Sequence, residues 1–222
     1  MALPLPNRAG AGAILADRLG AYANRRDVIV LALPRGGVPV AHSIAERLHV
    51  DLDVIVVRKL GVPSHEELAM GAVASGGLRI LNREIVALAG IDEATIDKVV
   101  RAELQEIARR EARYRRGAPA PPLRGRTVIL VDDGLATGST MTVAVQAVRR
   151  EHPQRIVVAV PVAASDSCEE LAGLVDEMIC LYTPEPFRAV SVWYEQFDQT
   201  SDDEVIDLLS RAPTHHAALD RQ

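Results

Sequence analysis

The sequence predicts an α/β fold: a doubly wound, mainly parallel five-stranded sheet with helices on both faces, interrupted by a helical insertion. Three observations carry that expectation. Apolar, β-branched runs alternate along the chain with stretches of helical spacing. The runs are continuously apolar rather than alternating with polar residues, as strands covered on both faces are. The 222 residues, 48% apolar and 25% charged, are enough for one domain with a sizeable core.

Taken in order, residues 28–33 (VIVLAL) read as a buried strand that stops at Pro34. Residues 38–48 have helical spacing, with Val40, Ile44 and Leu48 on one face. A second strand is expected at 52–57 (LDVIVV). Residues 60–77, rich in Gly, Pro and Ser, then read as a flexible loop with a short hairpin near 70–74. The insertion at 82–117 is helical, with Asp92 as N-cap. Ile96, Val100, Leu104 and Ile107 make its apolar stripe, fit either for its own core or for a dimer surface. GAPAPP at 117–122 ends it as a stiff connector. Strands follow at 127–131, 155–160 and 177–181, with helices at 140–149 and 165–175; the tail after Ala212 reads as frayed.

Charge and composition exclude several classes. Lys and Arg total 25 against 30 Asp and Glu, a net charge of −5, which argues against a surface built for nucleic acid. The longest uncharged apolar run, 156–164, falls far short of the roughly 20 residues a membrane-spanning helix needs. The N-terminus lacks a basic head and apolar core, so no secretory signal is expected. Cys168 and Cys180 lack metal-ligand spacing and read as thiols of a reducing, cytoplasmic compartment.

The chemistry concentrates in residues 128–140, VILVDDGLATGST. An apolar strand ends in Asp132 and Asp133, then runs through Gly134 and Leu135 into a small loop, Ala136, Thr137, Gly138, Ser139 and Thr140. In open parallel sheets ligands bind beyond the carboxyl ends of strands. Amides and hydroxyls at a helix N-terminus suit a phosphate dianion. The two acids would repel it, and so fit sugar hydroxyls or a Mg²⁺ shared with a polyphosphate. A Walker B strand is the competing reading, but the chain contains no G-x-x-x-x-G-K-[ST]. Pro34-Arg35-Gly36-Gly37-Val38 also follows a strand; its glycines let backbone approach an anion, and Arg35 offers a bidentate grip. Arg58 and Lys59 add cations directly after the second strand. His65-Glu66-Glu67 has no second histidine at helical spacing, which speaks against zinc.

The 128–140 stretch resembles the phosphoribosyl-pyrophosphate (PRPP) signature of type I phosphoribosyltransferases, whose fold the predicted architecture also resembles. The resemblance implies that Asp132 and Asp133 hold the ribose hydroxyls and that residues 136–140 cup the 5′-phosphate. It makes PRGGV the pyrophosphate loop, with Gly36 and Gly37 on the anion and a non-proline cis peptide expected at Arg35–Gly36. Catalytic roles fall to Arg35, Arg58, Lys59, Asp132 and Asp133. Mg²⁺ is the implied cofactor, arriving mainly through PRPP, with Asp132 and Asp133 as candidate ligands. Residues 60–77 take the place of the family's mobile catalytic loop, and Trp193 that of an aromatic in a small hood which stacks the acceptor. Gly134 departs from the pattern, which has an apolar residue there. Ala136 replaces an acid carried by members that act on 6-oxopurines, leaving adenine- and orotate-type acceptors open. The implied function is transfer of a 5-phosphoribosyl group to a nitrogen nucleophile, such as a nucleobase, with release of pyrophosphate. The implied partners are PRPP, a small-molecule acceptor and a second subunit in a homodimer, with neither nucleic acid nor membrane. A non-catalytic sensor of PRPP or nucleotide with the same fold is the alternative.

Overall fold

The computed structural model describes residues 3–63 and 65–213. The chain enters through α1 (Arg8–Arg18), capped by the Asn7 side chain, which accepts from Gly10 N–H at 2.8 Å. Then come β1 (Val28–Ala32), α2 (Gly37–Leu48) and β2 (Asp51–Val54). A different set of elements follows: β3 (Val57–Val62), β4 (His65–Ala74), β5 (Arg79–Leu81), α3 (Arg83–Leu88) and α4 (Glu93–Tyr114). The alternation resumes with β6 (Thr127–Val131), α5 (Ser139–Arg150), β7 (Arg155–Val162), α6 (Ser165–Ala172) and β8 (Glu177–Tyr182), and α7 (Asp202–Arg211) closes it.

Five strands form one sheet in the order β2-β1-β6-β7-β8, parallel throughout. Alternate side chains go to opposite faces, as the pleat requires. Val30, Ala32, Ile129 and Val131 pack with Leu15 of α1, Ile44 of α2 and Val205 of α7. Ile29, Leu31, Val128 and Leu130 pack with Met141 and Val145 of α5 and Leu171 of α6. Helices thus cover both faces, which is the doubly wound architecture, and every residue of β1 and β6 is buried.

Three expectations need correction. The second strand does not reach Val57: β2 ends at Val54, and Val57 opens β3, in a separate antiparallel sheet of order β3-β4-β5. Residues 60–77 are therefore mostly hairpin rather than loop. Leu60, Met70 and Val73 are fully buried there and join the main core. The cysteines are joined by a Cys168–Cys180 disulfide that ties α6 to the edge strand β8. They come together because α6 folds back onto β8 across a short connection, a proximity that their spacing alone does not reveal.

The insertion is two helices rather than one, with Gly90 in the left-handed region (φ +61°) between them. Asp92 caps α4 as expected, accepting from Thr95 N–H at 2.8 Å. Ile96, Val100 and Ile107 are buried against the protein's own core, with Leu104 packed beside them. The face toward β3 and β5 carries ion pairs, Arg58–Glu103 at 2.7 Å and Arg79 to Glu93 and Asp97 at 2.6 and 2.7 Å. The side chains of Glu66 and Glu67, and the tail with His215 and His216, lie outside the described residues.

Candidate active site at the strand ends

Because β1 and β6 are parallel neighbours, with Ala32 beside Val131, their carboxyl ends finish together. Leu33 N–H extends that ladder to Val131 O at 2.9 Å and delivers the chain to Pro34-Arg35-Gly36-Gly37. The cis peptide is at Pro34–Arg35, one residue earlier than the sequence led us to expect. The turn closes through Gly37 N–H to Leu33 O and Val38 N–H to Arg35 O, both at 3.1 Å. A methyl group on Gly36 would overlap the Asp133 carboxylate, and one on Gly37 would sit 2.7 Å from Val131 O. Both positions need glycine because the next strand's acidic turn lies against them.

That turn carries Asp132 and Asp133. Asp133 N–H donates to Asp132 Oδ1 at 2.8 Å, and Arg8 Nε of α1 donates to Asp133 Oδ2 at 2.8 Å. The Tyr194 hydroxyl donates to Asp133 O at 2.6 Å. Burial, and then the charge of Asp133, push the Asp132 carboxyl well above the usual carboxylate range. Burial also raises Asp133, against the Arg8 guanidinium, which pulls it down. Burial and the nearby Asp133 charge raise the Tyr194 phenol, so it stays a donor.

After the acids, Leu135 pairs with Ala163 beside β7, and the chain turns at Gly138 (φ +66°) into α5. Gly138 offers no side chain to cap the helix, so the first-turn amides of α5 are open to an anion. Ala136, Thr137, Ser139 and Thr140 are exposed around them, and the Thr137 and Ser139 hydroxyls lie 3.1 Å apart. From below, the Ser167 hydroxyl on α6 donates to Ala136 O at 2.7 Å. Gly134, where a larger apolar residue was expected, has no room for one: a methyl group there would lie 2.6 Å from Val190 Cγ1.

Residues 34–37, the diacid and the 136–140 loop therefore lie together at one end of the parallel sheet. The Arg35 guanidinium lies 3.9 Å from Asp202 at the start of α7, where Asp202 also binds Arg113 and the Tyr114 hydroxyl, each at 2.8 Å. Burial and Asp202 push the Tyr114 phenol up to about 12. Arg58 and Lys59 are placed differently from the expectation: they lie inside β3, on opposite faces of the strand, and Arg58 is held by Glu103 of α4. Trp193 sits in a hood where residue 5 bridges to residue 194, and its ring faces Phe187 at 6.3 Å between centroids.

Sequence reasoning missed Arg8, Ser167 and Asp202. Arg8 and Asp133 are 125 positions apart, and no local pattern links them. Among the described residues there is no group of three or more His, Cys, Asp or Glu placed to hold a metal by themselves, and no helix long and apolar enough to cross a membrane.

A parallel sheet with a diacid turn and an uncapped loop at one end defines a class, and comparison with known proteins agrees. The model of the phosphoribosyl transferase domain matches residues 5–192, and the chain belongs to that family. Among its relatives, two Mycobacterium tuberculosis proteins (strains CDC 1551 / Oshkosh and H37Rv), each called "Putative phosphoribosyl transferase", are 48% identical over 206 residues. Those matches cover 93% of this chain but 46% of the relatives, so the chain spans about half their length. The crystal structure of TT1426 from Thermus thermophilus superposes with a TM-score of 0.78 at 40% identity, over 94% of this chain and 98% of that one.

Proposed function

We propose that the protein is a phosphoribosyltransferase that moves the 5-phosphoribosyl group of PRPP to a nitrogen nucleophile, a nucleobase being the acceptor class, and releases pyrophosphate. The observation that carries this reading is the contact of Gly36 with Asp133, which puts the pyrophosphate loop and the ribose-binding acids against each other. Displacement at the anomeric carbon passes through a cationic sugar, so the protein's work is to hold the reactants in line and to stabilise the departing anion. Asp132 and Asp133 accept from the ribose hydroxyls and place negative charge near the developing cation. The amides and hydroxyls of residues 136–140 anchor the 5′-phosphate. Arg35 and the Gly36 and Gly37 backbone receive the pyrophosphate. Arg58, paired with Glu103, and Lys59 on β3 are the further cations proposed for the departing anion. Trp193 remains the candidate surface for the acceptor ring.

The residues present fit Mg²⁺ delivered by its substrate. Two half-buried neighbouring carboxylates, one of them without a cationic partner in hydrogen-bond contact among the described residues, are compensated by a divalent charge, and Mg²⁺ commonly takes one or two carboxylates plus substrate phosphates. When bound with PRPP, it would offset charge on the leaving pyrophosphate. A homodimer belongs to the same reading and is checked by light scattering.

The direct test is calorimetric binding of Mg²⁺–PRPP to wild type and to Asp132→Asn/Asp133→Asn. Each lost hydrogen bond donated to a charged acceptor is worth about 1.5–3 kcal/mol, so the double variant should bind about 100-fold or more weakly. Equal binding by the two proteins would end the reading. A panel of purine and pyrimidine bases, scored by released pyrophosphate, then separates an enzyme from a PRPP sensor.

A further inference from the structure

Arg8 lies in the first turn of α1, far in sequence from every motif above, yet its guanidinium lies against the diacid turn. Its side chain is 11% exposed and its partner Asp133 16%. The Nε–H donates to Asp133 Oδ2, and Nη1 donates to Asp198 O at 2.6 Å. Its guanidinium carbon lies 3.7 Å from the centroid of the Phe197 ring, within cation–π range. A methyl group on Gly36 would lie 3.4 Å from Nε, so the same guanidinium also flanks the pyrophosphate loop. The backbone fixes the arrangement from both ends of the chain. Leu5 N–H donates to Trp193 O, Glu195 N–H to Leu5 O and Gln196 N–H to Pro6 O, at 2.8, 2.8 and 3.1 Å. These bonds clamp the entry to α1 onto the segment that carries Tyr194 and Phe197.

We propose that Arg8 is a positioning residue of the transfer reaction, holding Asp133 Oδ2 so that Oδ1 is turned to a ribose hydroxyl of PRPP. The inference rests on the phosphoribosyltransferase reading and goes beyond it, because Arg8 lies outside every segment assigned to PRPP. Arginine suits the task. A planar fork fixes a carboxylate's orientation, stays charged, and stacks on an aromatic ring, three properties that lysine's point charge does not combine.

The charged and titratable groups around Asp133 are few. Asp132 precedes it and repels it; Arg8 reaches it from α1; the Tyr194 hydroxyl from the hood binds its carbonyl. The pyrophosphate loop presents Gly36, while the adjacent Arg35 guanidinium lies at Asp202. Arg8 is thus the cation in hydrogen-bond contact with Asp133 among the described residues, and without it the carboxylate loses the donor that fixes Oδ2.

Two calorimetric measurements test this. Mg²⁺–PRPP should bind Arg8→Gln about tenfold or more weakly than wild type, and Arg8→Lys should recover part of the loss. Inorganic pyrophosphate with Mg²⁺, which has no ribose, should bind wild type and Arg8→Gln within about twofold of each other. A role in stability alone would weaken both ligands together. Removing one member of an ion pair can unfold a protein; circular dichroism checks the variants, and the milder Arg8→Lys keeps the comparison available where Arg8→Gln does not fold. A folded Arg8→Gln that binds Mg²⁺–PRPP as wild type does, or that loses PRPP and pyrophosphate equally, overturns the role of Arg8. Wild type that fails to bind Mg²⁺–PRPP strikes the functional reading instead.

Discussion

The two sheets were built under different rules. In the five-stranded sheet, β1 and β6 are apolar at every position and covered on both faces, so the chemistry is pushed to the turns at their ends. The three-stranded sheet mixes Arg58, Lys59, Gly61 and Gly71 with buried Leu60, Met70 and Val73, and α4 is held to it by ion pairs as well as by packing. A strand covered on both faces announces itself through composition. A strand covered by helices that arrive later in the chain, α4 on one face and α5 on the other, does not. The difference teaches that the glycines and charges of residues 60–77 are no mark of a loop when a distant element supplies the missing cover.

The sharpest way to break this comparison is to empty both cores. Ile129 and Met70 are equally buried, and Ile129→Ala and Met70→Ala should each cost about 2–5 kcal/mol in urea denaturation. A mobile loop would lose almost nothing at Met70, so a loss there near zero would return the hairpin to the flexible loop first expected. The disulfide tests the far edge of the parallel sheet. It closes a separation of 12 residues, so Cys168→Ser/Cys180→Ser should lose about 3 kcal/mol. Unfolded wild type without reductant should show no reactive thiol; free thiols would remove this bridge.

Gly36→Ala probes the contact between the two turns. A methyl group there would overlap the Asp133 carboxylate, and displacing it by overpacking costs about 1–3 kcal/mol. Mg²⁺–PRPP affinity should fall roughly 10- to 100-fold with little change in circular dichroism; unchanged affinity would mean the turns do not touch. Asp132→Asn should separate stability from binding. A carboxyl raised in the folded state holds its proton where the unfolded chain has released it, so folding stability falls as pH rises through that window. The neutral variant escapes the loss and should melt higher than wild type at pH 7 while binding PRPP less well. A lower melting temperature would show that the site stabilises the charge. The smallest effect belongs to Arg79→Ala, which breaks two exposed ion pairs on α4 and should leave the melting temperature nearly unchanged.

The legible parts of the site are contiguous. Pro34 to Gly37 and Asp132 to Thr140 each contain both the residues that act and the turn that presents them, and β6 begins and ends where its composition indicates. The Asp92 cap is legible for the same reason, since its partner is three residues away. Misread features involve partners across space. Arg58 reads locally as a strand-end cation, but its neighbour Glu103 is 45 positions later; the cis bond falls one residue from its expected place; the cysteines meet because α6 packs back on β8.

By itself, then, the sequence determined the parallel sheet and the two turns that cross its end, because burial on both faces and loop chemistry are properties of short contiguous stretches. Only the tertiary structure decided that α1 sends Arg8 to Asp133, that α6 props Ala136 and that the hairpin belongs to the core. The physical reason is range: periodicity and turn preferences act over a few residues, whereas an ion pair or a packed face is defined by whatever the folded chain brings alongside.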